Sequence, residues 1–147
     1  MPELINKMIE KKRAYEKKFI ATVFVRPAEA LANYSDLTQE DFIDLTCKEF
    51  WKIFLETNGD VRRASDKVEI LSQITAYTLE TPTYDLDLYA DRMKEMGWLI
   101  KSLMSVNELV GTIVQEDISG ASYHIQALKT YDESHKFSIV KKPAALS

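Results

Sequence analysis

A proline-free stretch of regularly spaced apolar residues, from Thr83 to Glu116, sets the strongest limit on the possible folds of this chain. Apolar or large side chains recur alternately three and four positions apart, at Leu86, Tyr89, Met93, Met96, Ile100, Leu103, Asn107, Val110 and Val114. This spacing averages about 3.5 residues, the period of an α-helix that packs along another helix. A second row widens the apolar band and predicts contact with more than one neighbour; it consists of Leu88, Leu99, Val106, Leu109 and Ile113. Because such a helix is about 50 Å long, we expect part of it to project and to meet a partner.

The residues at both ends of this stretch predict where the helix begins and ends. Thr81-Pro82-Thr83 offers a capping residue and a proline suited to a first turn, and Asp85 follows near the positive end of the helix dipole. At the other end, Glu116–Gly120 supplies a turn and a helix-stopping glycine. A second helical pattern, Ala121–Tyr131, follows after a short connection, so the two helices are expected to be antiparallel. We therefore predict a helical hairpin over residues 83–131.

The residues before this hairpin predict a helical globule. The pattern indicates four helices: residues 3–25, Ala28–Tyr34, an aromatic-rich helix that starts from the capping-box sequence Thr38-Gln39-Glu40-Asp41, and a helix over Val68–Tyr77. The periodic aromatic residues of the third helix could form a stacking platform for bases, but their inward-facing spacing without arginines favours a core. No alternating strand pattern of useful length occurs.

The predicted fold class is therefore all-α. A compact helical globule (residues 1–82) is followed, in the same domain, by a long helix and a projecting antiparallel helical hairpin (residues 83–131). Residues 132–147 are expected to be a tail or linker.

Composition excludes several functional classes. The formal net charge of −4 argues against strong direct binding of nucleic acid, although the segment Met1–Ile20 carries six basic residues against three acidic ones. That segment could be an arm that touches DNA or a partner, but a solvated helix face with ion pairs explains it better. The single cysteine, Cys47, excludes an internal disulfide framework and suits a reducing cytoplasm. The chain has no run of eighteen apolar residues and no signal-peptide pattern, so we expect a cytoplasmic protein without a membrane span.

A search for catalytic or metal-binding patterns finds none. The glycines do not form a phosphate-binding loop, and the two histidines with one cysteine cannot make a usual zinc site. The chain also lacks the Glu-x-x-His motif of di-iron bundles. A nucleophilic pair of Cys47 and His124 stays open from sequence alone, although Cys47 lies among residues expected in the core. We therefore predict a protein that is not an enzyme and that needs no cofactor or metal.

Several segments follow one another in a recognisable order: Glu16 with Phe19–Pro27, Leu37–Phe42, Phe50–Phe54, Thr81-Pro82 and Tyr89–Glu95. They resemble the E-x-x-vLG-x-ll-x-x-P helix, the L-x-x-x-D-F segment, the h-x-x-I-F helix and the P…n-x-x-x-Y-A-x-x-v-x-e segment of the N-terminal domain of DnaB-type replicative DNA helicases. The resemblance covers about residues 16–116. This chain departs from the family pattern at Thr22, where the family usually has glycine, and at Lys101, where it usually has arginine; no ATPase domain follows.

The resemblance implies a DNA-replication scaffold. In that family the domain is an all-helical globule with a hairpin; it forms a collar on the hexameric helicase by pairing hairpins, and it docks the C-terminal region of primase. For this chain it implies a homo-oligomer, a dimer or higher, with primase or a replicative helicase as possible partners. The predicted self-association residues are Met93, Met96, Ile100, Leu103, Asn107 and Val110. Asn107 could fix the register of this contact or could simply face water at its edge.

Other functions remain open at this stage. The chain could be a stand-alone regulator or loader-like protein that caps a cellular replicative helicase, or a helicase-binding module similar to the C-terminal domain of primase. An enzyme would require a polar pocket around Cys47 or His124. If Met96, Ile100 and Leu103 form the self-contact, polar substitutions there are expected to disrupt oligomers and leave the globule folded.

Overall fold

The computed structural model describes residues 2–66, 76 and 85–134, and over these residues the protein is all-α, as predicted. The elements are α1 (Pro2–Val25), α2 (Pro27–Tyr34), a 3-10 turn (Gln39–Asp41), α3 (Leu45–Glu56), α4 (Val61–Ser65), α5 (Leu86–Val114) and α6 (Ile118–Ser134). The helix predicted over Val68–Tyr77, the Thr81-Pro82-Thr83 cap and most of the predicted tail lie outside the described residues.

By its internal contacts the chain divides into two compact units. One is Asn6–Gly97, and the other combines Met1–Ile5 with Trp98–Ser147. The boundary falls inside α5, whereas the sequence pattern places it at residue 83. The reason is burial, because Leu86, Tyr89 and Met93 in the first turns of α5 belong to the core of the unit Asn6–Gly97.

Aromatic side chains form the centre of that core, which confirms the interpretation of the third helix as a core element. Phe19, Phe42, Trp51 and Phe54 are essentially inaccessible to solvent. The Trp51 ring centroid lies 5.5 Å from that of Phe19 and 5.1 Å from that of Phe54. The Trp51 indole N–H donates to the Leu37 carbonyl oxygen at 2.9 Å, so its polar atom is satisfied. These rings are not available to stack on bases.

Helix α3 begins later than the sequence predicts. The capping box is present, since the Thr38 N–H donates to Asp41 Oδ2 at 2.8 Å, but it caps only the 3-10 turn. The prediction that it starts the aromatic helix is wrong. Phe42 has extended backbone angles and its ring lies in the core, and the helix starts only after Asp44, whose side chain accepts from the Cys47 N–H at 3.1 Å.

Helix α5 begins one residue after Asp85, whose carboxylate accepts from the Leu88 N–H at 3.0 Å. The acidic residue that the sequence assigned to the helix dipole therefore also acts as a hydrogen-bonding cap.

Candidate functional site

The connection between α5 and α6 consists of three residues, Gln115–Asp117, and it is a Schellman motif. Glu116 adopts the left-handed conformation with φ of 57°. Its N–H donates to the Ile113 carbonyl oxygen at 3.0 Å, and the Asp117 N–H donates to that of Thr112 at 2.9 Å. The left-handed Glu116 therefore ends the helix, whose last residue is Val114. The prediction that Gly120 stops it is wrong, because Gly120 lies in the first turn of α6.

Gly120 has a different role, which is to allow close packing at the start of α6. Asp117 Oδ1 accepts from the Gly120 N–H at 2.9 Å and so caps the helix. A Cβ atom at Gly120 would lie 2.8 Å from Asp117 Cγ and 3.1 Å from Thr112 Cγ2 on α5. The absence of a side chain at Gly120 thus leaves room for both the Asp117 carboxylate and the Thr112 side chain of α5.

The contacts between α5 and α6 confirm that the two helices are antiparallel. Gly120 lies next to Thr112, and four residues further along α6 His124 lies 3.6 Å from Glu108, measured from Nδ1 to Oε2. As the numbering rises by four on α6 it falls by four on α5. Helices α5 and α6 therefore form the predicted hairpin.

The apolar row predicted along α5 changes its environment from one end to the other. Met93 is completely buried in the core of the unit Asn6–Gly97, and Met96 and Ile100 are also buried. These three predicted self-association residues have little surface to offer a partner. Burial of this degree predicts that polar substitutions at Met96 or Ile100 would destabilise the chain itself, so these positions cannot report on association alone.

The other three predicted residues lie on the C-terminal half of α5. Leu103 is half-buried, Asn107 is exposed and the Val110 side chain is 50% exposed. The structure thus separates the predicted set into a buried half and an accessible half.

Helix α5 also carries exposed apolar residues from the second row of the pattern. Leu99, Val106 and Ile113 recur every seven residues, and Leu103 and Val110 lie between them. Apart from the half-buried Leu103, their exposure ranges from 39% to 58%. Positions three and four residues apart share one side of a helix, so these five residues form a continuous stripe.

Helix α6 also carries exposed apolar residues, on the side of the hairpin where Val106 and Ile113 lie. Val106 directly follows Ser105, Ile113 follows Thr112, and Ile125 follows His124. Ser105, Thr112 and His124 are half-buried positions of the hairpin. In two antiparallel right-handed helices, the residues that directly follow the facing positions lie on the same side of the pair. Ile125 and Ile118, seven residues apart and both exposed, therefore lie on the same side of the hairpin as Val106 and Ile113. We call these seven residues the exposed apolar face: Leu99, Leu103, Val106, Val110 and Ile113 of α5, and Ile118 and Ile125 of α6.

The hairpin is also poor in charge. Between Trp98 and Thr130 only five residues are charged, two lysines and three acidic residues, out of 33. This is about half of the 29% found in the whole chain. A surface that is apolar, nearly neutral and larger than isolated hydrophobic residues has the character of an interaction surface.

Cys47, one of the candidate nucleophiles, is fully buried in α3. Burial, with smaller contributions from the nearby carboxylates of Asp44 and Glu16, raises the pKa of its thiol well above the ordinary value. A thiol held in its neutral form is a poor nucleophile.

Among the side chains that the structure describes (residues 3–66, 76 and 85–130), no three from His, Cys, Asp or Glu are grouped closely enough to hold a metal ion. In the same part of the chain, no helix is both long and apolar enough to cross a membrane.

No family model, no curated protein and no solved structure matches this chain.

Proposed function

We propose that this protein is a non-enzymatic scaffold module of DNA replication that self-associates through the exposed apolar face and binds primase or a replicative helicase. The observation that carries the association is the exposed apolar face of the hairpin. The replication role is supported by the resemblance of residues 16–116 to the helicase N-terminal domain.

The size of the apolar face supports association. Complete burial of a Val, Leu or Ile side chain contributes about 1.5–3 kcal/mol, so the half-exposed residues can each contribute about 1 kcal/mol. With seven residues from each of two copies, the gross gain is on the order of 10–20 kcal/mol. Association costs roughly 4–15 kcal/mol in lost freedom of motion. The middle values of these two ranges leave about 5 kcal/mol in favour of association, which corresponds to a dissociation constant on the order of 100 μM.

The charge distribution supports a second copy as the occupant. When two identical surfaces meet around a two-fold axis, a charged group near the axis approaches its own equivalent, and like charges repel. The exposed apolar face contains no charged residue, and the whole segment Trp98–Thr130 has a formal charge of only −1. Two hairpins joined by this face would bury it in a four-helix arrangement.

Ile113→Lys tests the self-association. The Ile113 side chain is 58% exposed and lies on the face, so lysine should leave the fold intact while placing two like charges in the contact. Light scattering after size exclusion should show a dimer or higher oligomer for the wild type and a monomer for this variant. The matched control is Tyr123→Lys, because Tyr123 is 70% exposed and directly precedes His124, on the opposite side of the hairpin.

The same measurements can contradict the proposal. A wild type that is monomeric at about 100 μM, or an Ile113→Lys variant that associates like the wild type, would reject association through this face. Circular dichroism of the variant verifies that its helices are retained.

A second series of measurements tests the replication partners. Addition of a primase C-terminal domain should shift the mass of the wild-type complex, and no shift would argue against primase binding. Mixed complexes with an intact replicative helicase, formed in place of self-complexes, would favour the regulator that caps a helicase.

A further inference from the structure

Helix α1 presents a row of lysines to solvent, which we call the lysine row: Lys7, Lys11 and Lys18. They follow one another at intervals of four and seven positions, so at about 100° per residue they lie within about 40° of one another around the helix. Lys7 and Lys11 are exposed, and Lys18 is half-buried with its Nζ 5.8 Å from the centre of the Tyr15 ring. Ala14, which lies on the same side of the helix, is also exposed. One side of α1 therefore carries a series of positive charges that a partner can contact.

The ion pairs of α1 involve other basic residues. Lys12 pairs with Glu16 at 2.5 Å, and Arg13 pairs with Glu10 at 2.8 Å. Among the side chains that the structure describes, no carboxylate forms an ion pair with the lysine row. Pairing within the chain, which we expected to account for the charge of this segment, therefore does not neutralise the row.

The charge near the lysine row is positive although the chain as a whole is negative. Glu3, one turn before Lys7, is the acidic residue on this side of α1, and the three lysines outnumber it. At an ionic strength of about 0.1 M, exposed charges more than about 10 Å apart are largely screened from each other. The formal net charge of −4 argues against strong binding of an anion, but the acidic residues far from the row have little effect on an anion that contacts it directly.

We propose that the lysine row binds the phosphate backbone of duplex nucleic acid, weakly and without reading the base sequence. At a rise of about 1.5 Å per residue, the row extends over about 16 Å of α1. Each strand of a duplex carries a phosphate about every 3.4 Å along the axis, so several ammonium groups can contact phosphates at the same time. The row contains no arginine, asparagine or glutamine, the side chains that form paired hydrogen bonds with base edges. Contacts to phosphate alone carry no sequence information.

Two other anionic partners match the row less well. A helix that lies on a lipid membrane needs a broad apolar side, whereas the residue between the lysines of the row is Ala14. Proteins that hold single-stranded nucleic acid stack the bases on aromatic rings, and the row itself contains no aromatic residue. The composition of the row therefore favours a duplex, which offers it a charged backbone.

This contact goes beyond the proposed function and is independent of it. The lysine row lies in the unit Asn6–Gly97, whereas the residues of the exposed apolar face lie between Leu99 and Ile125. Three phosphate contacts predict an association constant whose logarithm falls by about 2.7 for each tenfold rise in salt concentration. The affinity should therefore fall about 40-fold between about 50 and 200 mM salt, to a dissociation constant of about 10⁻⁴ M at the higher concentration.

Fluorescence anisotropy tests the contact, with a labelled DNA duplex of about 20 base pairs titrated with the full-length chain. The wild type should bind the duplex with this salt dependence. Glutamine at all three positions of the row should weaken binding at least about tenfold at about 50 mM salt and remove most of the salt dependence. The substitutions, combined in one chain, are Lys7→Gln, Lys11→Gln and Lys18→Gln.

The matched control removes the same number of positive charges from exposed positions outside the row. Its substitutions are Lys52→Gln, Arg62→Gln and Lys129→Gln. Because the net charge changes equally in the two variants, a general attraction to DNA predicts equal losses, whereas contact through the row predicts a loss in the row variant alone. Circular dichroism verifies that both variants retain their helices.

Three results would overturn the proposal. The first is no binding of the duplex by the wild type at about 100 μM protein and about 50 mM salt. The second is an equal loss of binding in the row variant and the control. The third is tighter binding to single-stranded DNA of the same length, or to vesicles that contain phosphatidylserine, than to the duplex.

Light scattering keeps this test separate from the test of self-association. A monomer that binds the duplex through the row would support the contact and reject association through the exposed apolar face. An oligomer that binds no duplex would reject the contact and leave the association standing.

Discussion

Glu16 is the buried acid whose removal should destabilise this protein most. Its carboxylate is fully buried on α1 and accepts from Lys12 Nζ at 2.5 Å and from the Asp44 N–H at 2.7 Å. It also accepts from the Ile43 N–H, at 2.9 and 3.0 Å to its two oxygens. Lys12 Nζ in turn donates to the Asp41 carbonyl oxygen at 2.6 Å. This network attaches α1 to the segment that leads into α3.

Glu16→Gln retains the shape of the side chain but removes its charge. The Lys12 side chain, which is only 6% exposed, would then be a buried cation without its counter-ion. Breaking a buried pair by neutralising one partner costs about 3–5 kcal/mol. Domains of this size have a free energy of unfolding of only about 5–15 kcal/mol, so this is a large part of the total.

Urea unfolding followed by circular dichroism at pH 7 measures this loss. The free energy of unfolding of such a domain falls by about 2 kcal/mol per molar urea, so the urea concentration at the midpoint of unfolding should fall by roughly 2 M. The matched control is Glu10→Gln, because Glu10 pairs with Arg13 at 2.8 Å but is 67% exposed; it should cost less than about 1 kcal/mol.

A double variant separates the two causes of the lost stability, which are the unpaired charge of Lys12 and the lost hydrogen bonds of Glu16. Adding Lys12→Met to Glu16→Gln removes the unpaired cation and should recover at least about 1 kcal/mol of the free energy of unfolding. The reasoning is refuted if Glu16→Gln costs less than about 1 kcal/mol, or if the double variant is no more stable than Glu16→Gln.

Two further predictions concern a titrating cap and the two glycines of the hairpin. Burial disfavours the Asp44 carboxylate, but hydrogen bonds from the Cys47 N–H and from Arg13 outweigh this and lower its pKa. A carboxylate with a lowered pKa stabilises the fold at neutral pH, and this contribution is lost as the pH falls through that pKa, below about 4. Asp44→Asn should therefore lower the free energy of unfolding by about 1 kcal/mol at pH 7. The loss should become progressively smaller in unfolding curves measured towards pH 2.5. A Cβ atom added at Gly111 would meet open space, so Gly111→Ala should raise the free energy of unfolding by about 0.5–1 kcal/mol. A Cβ atom at Gly120 would collide with Asp117, so Gly120→Ala should lower the free energy of unfolding by about 1 kcal/mol through loss of the Asp117 cap. Thermal unfolding of the two variants side by side checks this order, and equal shifts would contradict it.

Local patterns were sufficient to predict the helices. The apolar spacing of α5, the aromatic spacing of α3 and the short connection after α5 each depend on residues within a few turns of one another. For that reason the all-α fold and the antiparallel hairpin could be predicted from the sequence. The same spacing placed Val106 and Ile113 in a second apolar row of α5, but it did not predict that this row would be exposed.

The exact ends of the elements depended on distant contacts. Thr38 and Asp44 both have the side chain of a helix cap, and the choice between them followed from the position of the Phe42 ring in the core. Gly120 and Glu116 were both possible ends of α5. Glu116 adopts the left-handed conformation that ends α5, whereas Gly120 lies where α6 meets Thr112.

The tertiary structure alone decided which residues of α5 are buried. Met93 and Val110 belong to the same row of apolar residues, yet Met93 is inaccessible and Val110 is half exposed. The local pattern is the same at both positions, and burial depends on which other parts of the chain pack there. The hydrogen-bond partners of Glu16 could not be predicted from the sequence either, because Ile43 and Asp44 are 27 and 28 residues away along the chain. Periodicity along a chain specifies a helix and its apolar side, whereas the neighbour that covers that side is specified only when the chain has folded.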